Sequence, residues 1–280
     1  MKFFKYLFLP LVLFNLESAI LYADEDQLIQ LPLNLEIPEC PGDQNNREPH
    51  SDHYIRHFKG FTLCYRESYE QAEWCAYKLE DSNLRKNAKR SNEFKPDYQI
   101  PTGSADLSDY RRSGYDRGHL APAADFSFDK SFMNETFYLS NITPQDHGLN
   151  GGIWNDLESQ VRRWAKRFGR VYVVTGPVLE KRAAQYKSIG PNKVAVPEFY
   201  YKVILAPRYT SREDRLSRED TGRISAIGFI FPNEACEGSI YDYSCTVDEV
   251  ERRTGIDFFD ALEDYREEKA ESTVNLEHWQ

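Results

Sequence analysis

Beyond its first residues the sequence lacks long hydrophobic runs, and no stretch of 18 residues is apolar. A helix that crosses a membrane needs about 20 predominantly apolar residues, so a multi-span membrane protein is excluded. Internal repeats and low-complexity linkers are absent as well. The composition, with 40 % hydrophobic and 29 % charged residues, is that of a globular protein and excludes a mostly disordered or fibrous chain.

Positive charge is also in short supply. The chain has 45 acidic and 35 basic side chains, which gives a formal net charge of −10. A protein that holds nucleic acid by bulk charge carries the opposite sign. Any role involving nucleic acid must therefore depend on a local site.

Cysteine is scarce, with five residues, and no Cys-x-x-Cys accompanies a matching pair of histidines. A structural zinc site is therefore not expected. Cys236 and Cys245 flank a short segment and could close a disulfide loop, whereas Cys64 and Cys75 lie on neighbouring apolar stretches and could pair or belong to the core. The odd count leaves one cysteine free or available to another chain.

The first residues have the pattern of a secretory signal peptide. Lys2 and Lys5 precede an apolar run of about 11 residues, and small and polar residues follow as far as Ala23. We predict a signal peptide over residues 1–23, an extended lead-in over 24–52 and a single domain over 53–280. The protein is then expected to be exported, either periplasmic or secreted, without stable membrane insertion.

Hydrophobic periodicity predicts an α+β fold with a mixed, mainly antiparallel sheet flanked by helices. A helix is predicted from Gly151, with apolar residues three and four apart, to Gly169. Thr246 and Glu249 form a capping box that opens another helix, which Gly255 stops. The charged C-terminal residues indicate a surface helix and a tail, and residues 81–109 and 208–223 indicate loops. Strands are predicted at residues 61–66 and 72–79, which pair, and at 116–119, 136–141, 171–175, 198–205 and 224–231.

The stretch from Tyr115 to Glu158 carries the residues of chemical interest, although each has an ordinary explanation. His119 could be structural, Asn141 could form an Asx-turn, Asn150 could cap a helix and Glu158 could be a solvated helix residue. The predicted elements nevertheless converge, because two strands and a helix place their ends in one small volume. Asn150 and Glu158 are about two helical turns apart and can lean toward the same side.

Together these side chains suit phosphodiester chemistry. An Asn carbonyl oxygen and a carboxylate are hard ligands that favour Mg²⁺, which is commonly held by one or two protein groups and by substrate phosphate oxygens. A histidine near its neutral pKa can take a proton from an attacking water. Cations such as Arg90 and Arg117 can offset charge on a pentacovalent phosphorane. The set predicts metal-assisted hydrolysis of a phosphodiester.

Three linked motifs resemble the DNA/RNA non-specific endonuclease family, the Serratia-type nucleases and endonuclease G of the ββα-metal superfamily. They are DRGH at 116–119, SNITPQ at 140–145, and LN at 149–150 followed by Trp154 and Glu158. The resemblance runs from about Tyr54 to about Phe259. It implies a ββα-metal site and an Mg²⁺-dependent endonuclease, with Mn²⁺ as a substitute, that cuts DNA and RNA to 5′-phosphate products. Relatives of this family are often dimers, which makes a homodimer one expectation.

The resemblance also implies roles for individual residues. His119 is the general base that activates water, Asn150 is the direct Mg²⁺ ligand, and Glu158 holds a water of the metal. Asn141 orients the site by supporting His119.

Two arginines complete the implied site. Arg90 stabilises the transition state or the leaving group, although Arg85 and Lys89 of the same loop are alternatives. Arg117 fixes its loop or touches phosphate.

Local charge explains how an acidic chain could bind a polyanion. Residues 85–182 contain 16 basic and 12 acidic side chains, a balance of +4. The basic run at 162–167 indicates a solvated helix face, with phosphate tracking as the alternative. Nothing resembles a helix that reads the major groove, so sequence-specific recognition is not expected.

Two other functions stay open at this point. One is a phosphodiesterase narrowed to one polymer or to a small phosphodiester. The other is a cell-envelope protein that binds or takes up nucleic acid on a nuclease scaffold. Comparing the cleavage of double-stranded DNA, single-stranded RNA and a bis(aryl) phosphate distinguishes the narrowed phosphodiesterase from a non-specific nuclease. Retention of unbroken DNA in Mg²⁺ buffer would favour the binding protein.

Overall fold

The computed structural model describes residues 31, 34–40, 52–208 and 223–280. The predicted signal peptide, most of the lead-in and most of the loop at 208–223 lie outside the described residues. The described part is built on a seven-stranded sheet in which every neighbouring pair is antiparallel. Numbered in chain order and given in spatial order, its strands are β1 (His53–His57), β2 (Thr62–Arg66), β3 (Gln71–Glu80), β6 (Arg170–Pro177), β9 (Phe199–Pro207), β10 (Ile224–Pro232) and β11 (Ser244–Cys245).

Two smaller antiparallel pairs lie beside this sheet. β4 (Asp116–His119) pairs with β5 (Ile142–Gln145), and β7 (Ser188–Ile189) pairs with β8 (Val194–Ala195). The helices of the described part are α1 (Leu107–Tyr110), α2 (Lys130–Glu135), α3 (His147–Gly151), α4 (Ile153–Phe168), α5 (Val247–Thr254), α6 (Asp264–Glu271) and α7 (Leu276–Trp279). The mixed α+β class with a mainly antiparallel sheet, expected from the sequence, is confirmed.

The helix α4 lies on one face of the sheet because its apolar side chains recur every three or four residues. Ile153, Trp154, Leu157, Val161 and Trp164 are all buried, and burying side chains of this size is worth about 1.5–3 kcal/mol each. Gly169, at φ 81°, ends the helix as predicted. The predicted start at Gly151 is two residues early, because the separate turn α3 precedes α4.

The opposite face of the sheet is covered by α5 and α6. Strand alternation divides the side chains: on β9, Tyr200 and Ile204 pack on the α4 side, whereas Tyr201 and Val203 pack on the α5 side. Half of the predicted capping box of α5 is formed, because Thr246 Oγ1 accepts a hydrogen bond from the Glu249 amide at 3.2 Å while the Glu249 carboxylate pairs with Arg252, and Gly255 ends the helix as predicted.

The predicted C-terminal tail is in fact part of the core. Trp279 is fully buried, and its carbonyl accepts hydrogen bonds from Trp164 Nε1 at 2.7 Å and from Tyr241 Oη at 2.9 Å. The charged composition around it concealed this anchor. The last described helix α7 therefore supports α4 from beneath.

One predicted strand is wrong, and the cysteine pairing that the sequence left open is resolved. Residues 136–141 form turns, with a 3-10 helix at Leu139–Asn141, and the strand follows at β5. Cys64 forms a disulfide with Cys40 of the lead-in, so it pairs with neither Cys75 nor another core residue. Cys75, Cys236 and Cys245 are free, so the loop that the last two could have closed is not formed.

No helix among the described residues is both long enough and apolar enough to span a membrane.

Candidate active site

The DRGH segment forms β4, which places His119 at the inner end of the β4–β5 pair. Gly118 is required there, because a Cβ atom on it would lie 2.2 Å from Oε1 of Gln145 on β5. The next residue, His119, is buried at 7 % exposure and packs edge-on against Phe137, with ring centroids 5.1 Å apart. Close strand packing and an aromatic wall thus fix the imidazole.

Asn141 holds the chain that follows His119. Its side-chain oxygen accepts a hydrogen bond from the Ala121 amide at 2.9 Å, and its Nδ2 donates to the carbonyls of Ala121 at 3.0 Å and Thr136 at 2.9 Å. All three contacts are buried. Asn141 therefore lies behind the site and acts on His119 through the backbone, where the Asx-turn explanation would have placed its bonds locally.

Asn150 belongs to α3, and its side chain does not cap a helix. Its Nδ2 donates to Asp116 Oδ2 at 2.9 Å, and α4 has no side-chain cap at all. The same Asp116 oxygen also lies 2.9 Å from Nδ1 of His147. Because Asp116 engages the amide nitrogen of Asn150, the carbonyl oxygen is left available to a ligand.

A cavity of about 240 Å³ brings the predicted residues together. His119 comes from β4, Asn150 from α3 and Glu158 from α4, and Arg90 and Arg117 complete its polar wall. Arg85 and Lys89, the alternatives to Arg90, are not among its lining residues. Of the six predicted site residues, only Asn141 lies outside this cavity, behind His119.

The histidine in this cavity is held in its neutral form. The pKa of His119 is lowered to about 3, mainly by burial and in addition by the positive charges of Arg90 and Arg117. Nε2 of His119 is buried without a hydrogen-bond partner. The unprotonated imidazole is the form that can act as a base.

A group of four ionisable side chains lies between α4 and the sheet: Asp125 and Lys202 are buried, whereas Glu158 and Arg162, on α4 itself, are partly buried. Arg162 donates to Asp125 Oδ1 at 2.8 Å, and Tyr77 Oη donates to Asp125 Oδ2 at 2.9 Å. Lys202 is fully buried on β9, where its Nζ donates to Thr175 Oγ1 at 2.9 Å. Burial raises the pKa of Glu158, against the effect of Lys202, Arg162 and Arg90. We call Asp125, Glu158, Arg162 and Lys202 the mixed-charge group.

The sequence interpretation missed three of the residues that shape this site. Arg162 was assigned to a solvated face, but it lines the cavity, whereas Arg163, Lys166 and Arg167 are exposed. Its position four residues after Glu158 was the available signal. Lys202 stands alone in an apolar strand, which was a second signal. Asp116 begins the DRGH motif, but its contact with Asn150 spans 34 residues, so its own part in the site was not predicted.

The residues in the cavity fit a hard divalent metal ion. Asn150 offers a carbonyl oxygen, Glu158 offers a carboxylate, and the buried Nε2 of His119 has no partner within the described residues. Oxygen donors of this kind suit Mg²⁺ or Mn²⁺, which keep several waters when few protein groups bind them.

Comparison with known proteins follows from this geometry. The family model for the DNA/RNA non-specific endonucleases matches residues 43–265. The chain is 34 % identical over 226 residues to mitochondrial nuclease EXOG of Danio rerio, covering 77 % of this chain and 63 % of that protein. It is 40 % identical over 190 residues to mitochondrial nuclease 1 of Schizosaccharomyces pombe, covering 64 % and 56 %. A crystal structure of the EndoG/EndoGI complex aligns with a TM-score of 0.67 and 33 % identity, covering 78 % of this chain and 90 % of that one.

The chain belongs to the DNA/RNA non-specific endonuclease family, which makes it a member of a family of nucleases. The family resemblance, the enzyme class and the ββα-metal type of fold expected from the sequence are confirmed. The chain spans less than two thirds of the length of the curated relatives reported above.

The expected location is wrong. These relatives are named as mitochondrial nucleases, which contradicts an exported protein of the periplasm or the medium. The charged and apolar residues at 1–23 misled the interpretation, because such a pattern is read from composition alone.

Proposed function

We propose that this chain is a metal-dependent endonuclease that hydrolyses DNA and RNA without base preference and leaves 5′-phosphate ends. The supporting observation is the cavity in which His119, Asn150 and Glu158, from three separate elements, face arginine side chains. We assign this activity to a single domain at residues 53–280, with Mg²⁺ as cofactor and Mn²⁺ as substitute.

His119 is the general base of the proposed reaction. Because its pKa is lowered to about 3, the imidazole is unprotonated at neutral pH and accepts the proton of the attacking water. Asn141 is a positioning residue, since it fixes the backbone at Ala121, two residues beyond the imidazole.

Asn150 and Glu158 would hold the metal ion. The carbonyl oxygen of Asn150 is the direct ligand, because Asp116 occupies its amide nitrogen. The carboxylate of Glu158 accepts hydrogen bonds from the hydration shell of the ion. When bound, the ion polarises the scissile phosphate and offsets the charge that develops on it.

The arginines bind the polyanion. Arg90, Arg117 and Arg162 all line the cavity, although the whole chain carries a net charge of −10. Arg117 is exposed, its guanidinium carbon lies 4.1 Å from the Phe94 ring centroid, and it forms no ion pair with a carboxylate in the described ranges. A local positive wall can hold phosphate where bulk charge would repel it.

A plasmid-nicking assay with metal removal tests this proposal. We expect activity to vanish in EDTA and to return with Mg²⁺ or Mn²⁺, because a single direct protein ligand gives modest affinity. Asn150→Ala should lose several orders of magnitude in activity while keeping its circular dichroism spectrum, whereas Gln160→Ala, on α4 outside the cavity lining, should keep both. Undiminished cleavage in EDTA would overturn the proposal.

The substrate range is tested on the same protein. We expect cleavage of both double-stranded DNA and single-stranded RNA, and products that a ligase joins without added kinase. Cleavage of only one polymer would favour the narrowed phosphodiesterase, and binding without cleavage in Mg²⁺ would favour a binding protein.

A further inference from the structure

Three carboxylates converge on the sheet face opposite the candidate active site. Asp248 and Glu251 are one turn apart on α5, and Glu271 is the last residue of α6. One oxygen from each lies within 4.8 Å of the other two. We call these three residues the carboxylate cluster.

The innermost member of the cluster is buried without a partner. Glu271 is 4 % exposed, and its Oε1 is buried with no hydrogen bond within the described residues. Leaving such an oxygen without a donor costs free energy, and the cost is greater when the group is charged. The end of α6 adds to it, because the C-terminus of a helix carries partial negative charge.

The two arginines on α5 form ion pairs with carboxylates outside the cluster. Arg252 forms two hydrogen bonds to Glu249, at 2.8 and 2.6 Å, and Arg253 forms two to Glu180, at 2.7 and 2.9 Å. Among the residues that the structure describes, the three carboxylates therefore form no ion pair with a cation.

Three carboxylate oxygens within 4.8 Å of one another are close enough to bind one divalent cation such as Ca²⁺. Ca²⁺ binds six to eight oxygens at about 2.3–2.6 Å, so ligand oxygens around it lie up to about 4.8 Å apart. Glu251 is also held in place, since one of its oxygens accepts the Phe258 amide at 2.9 Å. Burial increases from exposed Asp248 through Glu251 to Glu271, which provides an entry path from solvent.

We propose that Asp248, Glu251 and Glu271 bind one Ca²⁺ or similar hard divalent cation, which joins α5 to α6. Water molecules complete the coordination on the exposed side of Asp248. The role is structural, because the cluster lies on the other side of the central sheet from the nuclease cavity. The proposal is independent of the proposed nuclease activity.

Thermal unfolding of the full chain with and without CaCl₂ tests it. The Asn150→Ala variant serves as the background, so that a metal ion in the nuclease cavity does not contribute. We expect one bound Ca²⁺ per chain by isothermal titration calorimetry. At 100 times the Kd, Tm should rise by about 5–10 °C, with a smaller rise from MgCl₂.

Two variants assign the binding to these residues. Glu271→Gln should abolish the Ca²⁺-dependent rise in Tm, and Asp248→Asn, at an exposed position, should weaken the affinity at least about tenfold while the chain folds normally. Glu268→Gln, exposed on α6, is the matched control and should keep the full response. Absence of Ca²⁺ binding in the Asn150→Ala background, or an equal response in Asp248→Asn and Glu268→Gln, would overturn the proposal.

Discussion

The two faces of the central sheet manage buried charge in opposite ways. Under α4 the mixed-charge group has two acids and two bases, and each base has a partner: Arg162 bonds to Asp125, and Lys202 lies near Glu158 and Asp125. Under α5 and α6 the carboxylate cluster has three acids, and the pKa of Glu271 is raised to about 9 by burial and by the neighbouring carboxylates.

The difference shows what each face needs from outside. A balanced group can keep its charges and its geometry in the protein alone, because every desolvated charge has a compensating one. An unbalanced group must take up protons or a cation. Preorganised charge therefore lies beside the candidate active site, whereas ligand-dependent charge lies on the far face.

The largest expected effect is the loss of the base on the balanced face. His119→Ala should reduce the rate of plasmid cleavage by about 10²–10⁴-fold, the usual contribution of a general base. His57→Ala, which changes an exposed histidine of β1, should stay within a few-fold. Initial rates of the two variants are measured at saturating Mg²⁺. A folded His119→Ala protein with a near-normal rate would show that His119 is not the general base.

Breaking the charge balance itself comes next. Lys202→Met leaves Glu158 and Asp125 with one cation fewer, which should lower the free energy of unfolding by about 3–5 kcal/mol. Lys78→Met removes a lysine from β3 that is exposed and paired with Glu80 at 2.9 Å, and should cost at most about 1 kcal/mol. Urea denaturation measures both. Equal effects of the two substitutions would show that balance under α4 contributes nothing.

A smaller effect follows from the low pKa of His119. The folded state holds this imidazole neutral, with the pKa near 3, whereas the unfolded chain binds a proton below about pH 6.5. Stability is therefore lost as pH falls below about 6.5, by about 2 kcal/mol at pH 5. His119→Ala should lack this part of the pH dependence, as urea denaturation at pH 5 and pH 7.5 would reveal. The same pKa predicts no decline in activity near pH 6.5 from this residue.

The smallest expected effect is on the far face. Thr246→Ala removes the side-chain cap of α5 and should cost about 1 kcal/mol. Thr273→Ala, at an exposed position after α6, should change stability by less than about 0.5 kcal/mol. If Thr246→Ala also alters the cleavage rate, the two faces are coupled and the contrast between them is too simple.

Local patterns in the sequence predicted most of the regular elements and the contents of the cavity. The spacing of the apolar residues from Ile153 to Trp164 predicted α4. Thr246 and Gly255 predicted the two ends of α5. The three motifs predicted His119, Asn150 and Glu158 as site residues. Such signals are readable because each depends on residues within one or two turns or on a matched motif.

What the sequence did not reveal depends on distant partners. Residues 136–141 carry the aromatic and apolar side chains of a strand, yet the buried hydrogen bonds from Asn141 to Thr136 and Ala121 favour turns. The balance around Lys202 needs side chains from three different elements. Cys64 pairs with a residue of the lead-in, which no spacing rule indicated.

The anchoring of Trp279 beneath Trp164 has a consequence for the order of synthesis. Glu158 leaves the ribosome well before residue 279, and at about 5–20 residues per second the interval between them is roughly 6–24 s. During that time α4 lacks the carbonyl that Trp164 binds and the indole that fills the core below it. The cavity is therefore completed only after residue 279 has been synthesised, and a chain halted before that residue lacks the support of its own active-site helix.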